Sequence, residues 1–348
     1  MTSRARVQKA LHHEKPDRVP TFFRRYSPPG TELTREQNEY LSDVADVGPY
    51  LRMKHPAGRQ PQIAGETSYD ADLKIGRRFN GFYTQMVDFP LAHMQSPEEL
   101  ADYPWPDITQ SWRYAHMRQE ALAIIEQGKA VPVLASWGGS TGIFELSWYM
   151  RGMDNFLTDL MINVSFAEAL LDKQLELHKT LWVKVLEQVG DLADMACTGD
   201  DLATQQSLLI SPQIYRDLIK PRQKELIALI KRHTKAKIYY HSCGAIGPLI
   251  PDLVEIGVEV LDPVQPLALD TRMIKQKYGE SLCFYGGVDV QDVLPNGTPT
   301  DVRDEVLRRF DHMGRDGGLV LGPSHWIQFD VAWENIRALY ETIKECNY

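Results

Sequence analysis

Two side chains that can bind a metal lie two residues apart in the segment Tyr-Tyr-His-Ser-Cys-Gly, at His241 and Cys243. Residues two apart on an extended strand point to the same side, so both would face one pocket. An imidazole nitrogen and a thiolate sulfur are typical Zn²⁺ ligands, and an open coordination position accepts a substrate atom. The alternative is a buried cysteine packed beside a histidine that hydrogen-bonds to the backbone. An isolated His-x-Cys favours that alternative, because a metal site needs three or four ligands.

The third metal ligand is less obvious. His325, in Gly-Pro-Ser-His-Trp, follows the last predicted strand and is our first choice, and Glu145 is the second. Cys283 lies near the start of its predicted strand, too deep for the site, and Cys346 lies near the end of the sequence. Alternatively, His325 is a loop residue that hydrogen-bonds to a neighbouring turn. The predicted metal ligands are therefore His241, Cys243 and His325.

Adjacent carboxylates follow another predicted strand in Thr-Gly-Asp-Asp-Leu, at Asp200 and Asp201. Adjacent side chains leave a strand in different directions, so one is expected to cap the next helix while the other enters the pocket. A carboxyl group in a pocket acts as an acid, a base or the partner of a substrate cation. We predict Asp200, Asp201 and Glu145 as catalytic residues, and helix capping and turn formation are the alternative for the aspartate pair.

Further polar side chains follow other predicted strands. Gln265, Asp289 and Gln291 are predicted to bind substrate, and the glycine pair before Asp289 allows close backbone approach to a ligand. Tyr26 is predicted to line an apolar wall, although aromatic residues are more often part of the core. Polar groups converging at the ends of apolar strands indicate a pocket for a small molecule.

Short β-branched or aromatic runs alternate with amphipathic stretches, as in parallel βα units. Strands are predicted at 18–23, 131–136, 194–198, 237–241, 258–262, 282–286 and 319–321, and one more around 81–87. Helices are predicted at 113–126, 154–189, 212–231, 246–256, 271–277, 299–313 and 331–345. This spacing predicts one α/β domain over residues 1–348, a (β/α)8 TIM barrel whose functional groups lie at the carboxyl ends of its strands. The irregular segment 26–106 is predicted to be an N-terminal elaboration that serves as a lid or extended loop.

A doubly wound open sheet is the alternative fold, although no glycine fingerprint follows the first predicted strand.

Composition excludes several classes of protein. The 348 residues carry a formal charge of -9, which is a poor match for nucleic acid or an anionic membrane. Four irregularly spaced cysteines do not form a disulfide framework and indicate a reducing compartment. The charged first twenty residues lack the apolar segment of a signal peptide, and no apolar run reaches the ~20 residues of a membrane span. We therefore expect a soluble cytoplasmic protein.

Several segments together resemble the uroporphyrinogen decarboxylase superfamily. They are residues 2–20, 139–142 with Tyr149 and Met150, 210–222, 241–266, 285–291 and 318–336, in the order of the family. The resemblance implies a βα barrel. Porphyrinogen decarboxylases carry Arg-Gln-Ala-Gly-Arg after the first strand to bind the substrate's carboxylates, and this chain instead has Phe-Phe-Arg-Arg-Tyr-Ser-Pro-Pro-Gly at 22–30.

The resemblance is closer to the cobalamin-dependent methyltransferase branch, which binds zinc through His-x-Cys and a later cysteine. His241 and Cys243 match the first two ligands, but no cysteine lies near Leu319, which shifts the third ligand to His325 or Glu145. The resemblance implies a zinc-dependent exchange of a methyl group between a small methylated donor or acceptor, such as a methoxylated compound in an O-demethylase reaction, and a corrinoid. Since one barrel fills the chain, the corrinoid is expected on a separate protein.

Two other functions remain open at this point. One is a metal-free decarboxylase of a smaller acid, in which Asp200 or Asp201 stabilises a protonated ring or iminium. The other is a non-catalytic barrel that binds a ligand. A homodimer is also compatible with the sequence, which does not determine the oligomeric state.

Overall fold

The computed structural model describes residues 1–28, 30–56 and 65–348 and contains two β-sheets. A small antiparallel sheet contains β1 (Thr67–Tyr69), β2 (Gly76–Phe79) and β3 (Thr84–Asp88). The main sheet is parallel, with strands in chain order: β4 (Pro132–Leu134), β5 (Met195–Gly199), β6 (Lys237–His241), β7 (Val260–Asp262), β8 (Cys283–Val288) and β9 (Leu319–Pro323). Helices connect successive strands of this sheet, which is the βα pattern predicted from the sequence.

Two extended segments complete the barrel. Thr21 and Arg25 pair in parallel with Leu321 and Ile327 beside β9, and the segment 46–51 pairs with the region of β4 through bridges of Val47 to Ala130 and Leu51 to Val133. The two segments also meet each other, because the backbone N–H of Asp46 donates to the carbonyl of Thr21 at 2.8 Å. The predicted TIM-barrel fold is thus confirmed.

The strand predicted around 81–87 is present but lies outside the main parallel sheet. The nearest strand, β3, belongs to the small antiparallel sheet, and the segment 46–51 provides the barrel strand instead. The segment 46–51 pairs through isolated bridges and is too short and irregular to show a two-residue hydrophobic period.

The helices are α1 (Ser3–Leu11), α2 (Arg35–Val44), α3 (Glu99–Asp102), α4 (Met117–Glu126), α5 (Ile143–Arg151), α6 (Met153–Ile162), α7 (Val164–Val189), α8 (Pro212–Ile214), α9 (Lys220–His233), α10 (Ile250–Glu255), α11 (Thr271–Tyr278), α12 (Val293–Asn296), α13 (Pro299–Arg309) and α14 (Trp333–Glu345). The predicted helix 154–189 is interrupted at Asn163 and forms α6 and α7. Helix α5 was missed, and it places Glu145 in a first helical turn rather than in a loop. No helix among the described residues has the length and apolar composition needed to cross a bilayer.

Aromatic side chains fill the barrel interior. Phe22 stacks on Tyr285 with ring centroids 4.0 Å apart, and Tyr239 meets Tyr285 edge-on at 5.1 Å. All three are almost fully buried, and burying one aromatic side chain stabilises a protein by roughly 2–3 kcal/mol. A second, larger apolar layer packs between the parallel strands and the surrounding helices. The packed interior leaves the carboxyl ends of the strands as the place where polar groups meet.

Strands β2 and β3 of the small sheet form a hairpin within the predicted N-terminal elaboration. Arg77 on β2 donates to the carbonyl of Gly138 after β4 at 2.5 Å. At the hairpin tip (residues 80–83), the ring of Phe82 lies 4.9 Å from the ring of Phe329 in the loop after β9. The hairpin therefore contacts the loops after β4 and β9, and the lid function of residues 26–106 stays a prediction.

Candidate active site

Three predicted metal ligands meet at the carboxyl end of the barrel. His241 ends β6, and the Sγ atom of Cys243 lies 3.5 Å from its Nε2 atom. The loop after β9 brings in His325, whose ring centroid is 6.0 Å from that of His241. One donor atom from each residue lies within 4.8 Å of the other two. We call these residues the His–Cys–His cluster.

Asp262, the last residue of β7, orients His241. Its Oδ2 atom lies 2.5 Å from Nδ1 of His241, so Nδ1–H donates to the carboxylate and Nε2 faces Cys243. Behind it, Nη2 of Arg24 lies 2.6 Å from Oδ1 of Asp262. Burial raises the pKa of Asp262, but Arg24 and His241 outweigh it and hold that pKa well below its usual range. Asp262 is therefore an ionised carboxylate.

The protonation of the two histidines differs. Burial lowers the pKa of His325 to about 4, helped by the charges of His241 and Arg24, so His325 is a neutral imidazole. Burial alone would lower the pKa of His241, but the neighbouring Cys243 and Asp262 raise it well above its ordinary value. Because a bound cation and a proton compete for Nε2, a metal would take the place of that proton.

The spacing of His241 and Cys243 matches that of two ligands of a zinc ion. Tetrahedral coordination with usual Zn–N and Zn–S bond lengths separates a nitrogen and a sulfur ligand by about 3.6 Å. The corresponding separation between His241 and Cys243 is 3.5 Å. Two imidazoles and one thiol are a donor set that zinc accepts, and three protein ligands leave one position open. The hydrogen bond to Asp262 is the usual support of a metal-binding imidazole.

Asp201 lies beside this cluster. Its Oδ1 atom accepts a hydrogen bond from the backbone N–H of Cys243 at 2.9 Å and is 3.7 Å from Nε2 of His241. About a third of its side chain is exposed, at 34%. Asp201 therefore positions the loop that carries Cys243 and is accessible from the barrel mouth.

Asp200 is buried and has a different role from its neighbour. Its Oδ1 atom accepts the backbone N–H of Glu145 at 2.7 Å, and its Oδ2 atom accepts Nε2 of Gln223 at 2.7 Å. It caps the start of α5, and Ser211 caps the helix that follows, so the expectation that one of the two aspartates caps the following helix was wrong. A Cβ at Gly142 would collide with this carboxylate, which explains the glycine. Burial raises the pKa of Asp200 to about 7, although the two hydrogen bonds by themselves would lower it.

Glu145 lies next to this capping contact. Its carboxyl group accepts hydrogen bonds from the hydroxyls of Ser140 at 2.6 Å and Tyr149 at 2.7 Å. Burial and the charges of Asp201 and Asp200 raise its pKa to about 8. Glu145 therefore holds a proton near neutral pH and is suited to general acid chemistry.

The predicted substrate-binding residues occupy several places. Gln265 is buried, and its Oε1 atom accepts the backbone N–H of Gly244 at 2.6 Å, which fixes the loop after Cys243. Asp289 is also buried and accepts backbone N–H groups of residues 291–293, while Gln291 is exposed. The ring of Tyr26 packs edge-on against Phe79 at 5.9 Å, near the hairpin. Substrate binding by these four residues stays a prediction.

The hairpin tip reaches the neighbourhood of the cluster. Tyr83 is about half exposed, and its pKa is raised by burial and by the charges of Asp330 and Cys243. Phe82 beside it contacts Phe329, four residues after His325. The tip thus adds aromatic side chains to the barrel mouth.

Sequence reasoning missed some of the residues around the site. Arg24 was noted only as part of a segment that lacks the decarboxylase motif, and Asp262 was only the last residue of the predicted strand 258–262. The sequence signal for Arg24 was the position of an arginine at the end of an apolar run. Ser140 and Tyr149, which donate hydrogen bonds to Glu145, gave no separate signal. The contact of Arg24 with Asp262 joins residues 238 positions apart in the sequence. The contact of Ser140 with Glu145 joins residues 5 positions apart.

Comparison with known proteins identifies relatives. The sequence model of the uroporphyrinogen decarboxylase family (URO-D) matches residues 89–346. A methylated-thiol–coenzyme M methyltransferase of Methanosarcina mazei is 26% identical over 142 residues, which are 40% of this chain and 35% of that protein. A uroporphyrinogen decarboxylase of Chlorobium phaeobacteroides is 23% identical over 254 residues, 69% of this chain and 67% of that protein. The match thus spans about a third of the methyltransferase and about two thirds of the decarboxylase.

A solved structure has the same fold. A methyltransferase from Methanosarcina mazei superposes with a TM-score of 0.68 at 18% identity, over 99% of each chain. A likeness at this identity shows the barrel architecture alone.

Proposed function

The chain belongs to the uroporphyrinogen decarboxylase family, and on that premise we propose that it is a zinc-dependent methyltransferase. It would move a methyl group between a small methylated substrate and a corrinoid carried by a separate protein. A methoxylated compound is the proposed donor, which makes the reaction an O-demethylation. The methyltransferase name of one relative, over the matched 142 residues, points in the same direction.

One observation carries this proposal: His241, Cys243 and His325 offer one nitrogen or sulfur each within 4.8 Å at the barrel mouth. These residues would hold the zinc ion, with Asp262 fixing His241 so that Nε2 is the donor. His325 would stand in for the later cysteine of the methyltransferase branch. When bound, zinc supplies Lewis acidity toward the oxygen or sulfur of the methylated substrate, and the corrinoid supplies the cobalt that takes the methyl group.

Glu145 would be the proton donor of the site. Its carboxyl group is held by the hydroxyls of Ser140 and Tyr149, and with a pKa of about 8 it is protonated at neutral pH. An alkoxide or phenoxide is a poor leaving group, so a proton delivered to that oxygen lowers the barrier. Asp201, at the edge of the cluster, would relay the proton or hold the substrate near the opening.

The acidic mouth favours this reading over porphyrinogen decarboxylation. Asp200 and Asp201 lie close to Glu145 there, and their charges help to raise the pKa of Glu145. Arg24, one of two arginines in the segment 22–30 that replaces the decarboxylase motif, is only 5% exposed and is paired with Asp262. It is therefore not available to bind the carboxylates of a porphyrinogen.

The test is methyl transfer from a methoxylated aromatic compound to free cob(I)alamin, followed by the absorbance change of the cobalamin. Zinc-loaded protein is expected to produce methylcobalamin and the demethylated phenol in equal amounts. Cys243→Ala should abolish the reaction, and Cys283→Ala, a change at a buried cysteine outside the cluster, should leave it unchanged. Dimethyl sulfide and methanol serve as alternative donors in the same assay.

Zinc-loaded protein that transfers no methyl group from any of these donors would contradict the proposal. Release of carbon dioxide from a small carboxylic acid by metal-free protein would favour the decarboxylase instead.

A further inference from the structure

A buried arginine lies behind the His–Cys–His cluster. The guanidinium of Arg24 is surrounded by aromatic rings, at 4.7 Å from the ring centre of Phe22, 5.2 Å from Tyr285 and 5.9 Å from Tyr50. Its Nη2 atom donates to the hydroxyl of Tyr239 at 2.9 Å. A cation inside this aromatic wall has little freedom to move, since the rings restrict it on several sides.

The guanidinium contacts both oxygens of one carboxylate. Nη2 lies 2.6 Å from Oδ1 of Asp262, and Nη1 lies 3.3 Å from Oδ2. The same Oδ2 atom accepts the Nδ1–H of His241 at 2.5 Å. Arg24, Asp262 and His241 therefore form a continuous chain of hydrogen bonds that ends at the cluster.

We propose that Arg24 is a positioning residue for the metal ligand His241 and acts through Asp262. Two contacts from a planar guanidinium fix both the position and the plane of the carboxylate. The fixed carboxylate then sets the rotation of the imidazole ring, which directs Nε2 toward Cys243. This inference rests on the proposed function only for the identity of the metal.

The charge balance supports the same role. Asp262 is fully buried, and a buried carboxylate needs a compensating charge. Arg24 supplies that charge, and its shorter contact is to Oδ1, the oxygen that His241 does not use.

The main experiment measures zinc affinity by competition with a chromophoric chelator. Arg24→Gln should weaken zinc binding about 10- to 100-fold, the usual effect of losing a partner behind a metal ligand. Arg24→Lys, which keeps the charge without the planar fork, should lie between the wild type and Arg24→Gln. Arg25→Gln is the matched control, since Arg25 donates to Ser27 and to the carbonyl of Thr31 and should leave the affinity unchanged.

A double-mutant cycle tests whether Arg24 acts through Asp262. In an Asp262→Asn background, Arg24→Gln should change zinc affinity by less than about 2-fold, because Asp262, through which Arg24 acts, is already altered. Equal effects of Arg24→Gln in both backgrounds would overturn the inference. Co²⁺ substitution adds a spectroscopic readout: the visible bands should shift in Arg24→Gln but not in Arg25→Gln.

A second readout uses metal-free protein, which separates this inference from the proposed function. The Nδ1 proton of His241 should give a strongly downfield NMR signal in the wild type and in Arg25→Gln. Arg24→Gln should lose or move that signal, and Arg24→Lys serves in its place if Arg24→Gln does not fold. An unchanged signal in the folded variant overturns the positioning role, whereas a wild type that has the signal but binds no zinc contradicts only the metal proposal.

Discussion

Among the described residues, two cysteine–histidine pairs of the barrel have the same separation. At its carboxyl end, Sγ of Cys243 lies 3.5 Å from Nε2 of His241. At the opposite end, Sγ of Cys283, the first residue of β8, lies 3.5 Å from Nε2 of His13. We call them the mouth pair and the base pair. Their surroundings differ although the distances agree.

The mouth pair has further donors and an oriented histidine. His325 provides a third ligand atom, and Asp262 fixes the imidazole of His241. The thiol of the base pair instead donates to the carbonyl of Ala10 at 3.4 Å, and burial raises its pKa to about 11. Among the described residues, the base pair does not belong to any group of three possible metal ligands.

Positive charge also opposes metal binding at the base. Burial lowers the pKa of His13, and the charges of Lys275 and Lys237 lower it further. The same ammonium groups would repel a divalent cation. Two ligands at a suitable distance are therefore not sufficient for a metal site, and the residues around them determine whether one forms.

The largest expected difference between the pairs is in metal content. Purified without a metal-affinity tag, the wild type should contain close to one zinc per chain, because three ligands hold it. Cys243→Ala and His241→Ala should lose this zinc, and Cys283→Ala should retain it, as measured by mass spectrometry. A wild-type protein that is purified without metal and does not take up added zinc would contradict the prediction that the mouth pair, unlike the base pair, binds zinc.

Removing the third ligand, His325, sharpens the comparison. His325→Ala should weaken zinc binding by at least about 100-fold, since one of three protein ligands is lost. His13→Ala should leave zinc affinity unchanged, because His13 lies at the other end of the barrel. Affinities from competition with a chelator give both numbers, and equal losses in the two variants would argue against a site at the mouth.

Alkylation of metal-free protein compares the two thiols directly. Cys243 is partly exposed, whereas Cys283 is 1% exposed. Iodoacetamide at neutral pH should therefore label Cys243 at least about 10-fold faster, because reaction requires access and a thiolate. Peptide mass spectrometry measures the rates, and added zinc should protect Cys243 alone. Faster labelling of Cys283 would mean that the base of the barrel opens.

The smallest expected effect concerns Glu145 at the barrel mouth, whose carboxyl group holds a proton near neutral pH. Its pKa is raised to about 8 in the folded protein, so the folded state holds a proton that the unfolded state releases above its ordinary pKa of 4.5. The free energy of unfolding should therefore fall as pH rises from about 5 to 8, by on the order of 2 kcal/mol.

Glu145→Gln should show a smaller fall over the same pH range, measured by urea denaturation. Asp200, with a pKa of about 7, should supply the part of the fall that remains. Parallel stability curves for the wild type and Glu145→Gln would show that Glu145 does not carry the proton.

Much of the fold was predictable because it depends on local pattern. Buried parallel strands produce short apolar runs, and six of the predicted runs correspond to β4 through β9. The strand segment 46–51 was missed because its pairing comes from isolated bridges to residues far along the chain. The break at Asn163 was missed because the apolar pattern continues on both sides of it.

The candidate site also combines features that depend on local sequence with contacts that depend on the fold. The sequence by itself determined that His241 and Cys243 lie near each other, because only one residue separates them at the carboxyl end of β6. Only the tertiary structure decided that His325 joins them, that Asp262 and Arg24 support His241, and that Cys283 with His13 remains a separate pair. Those contacts join different strands and loops, and their distances depend on how the barrel closes rather than on any local spacing.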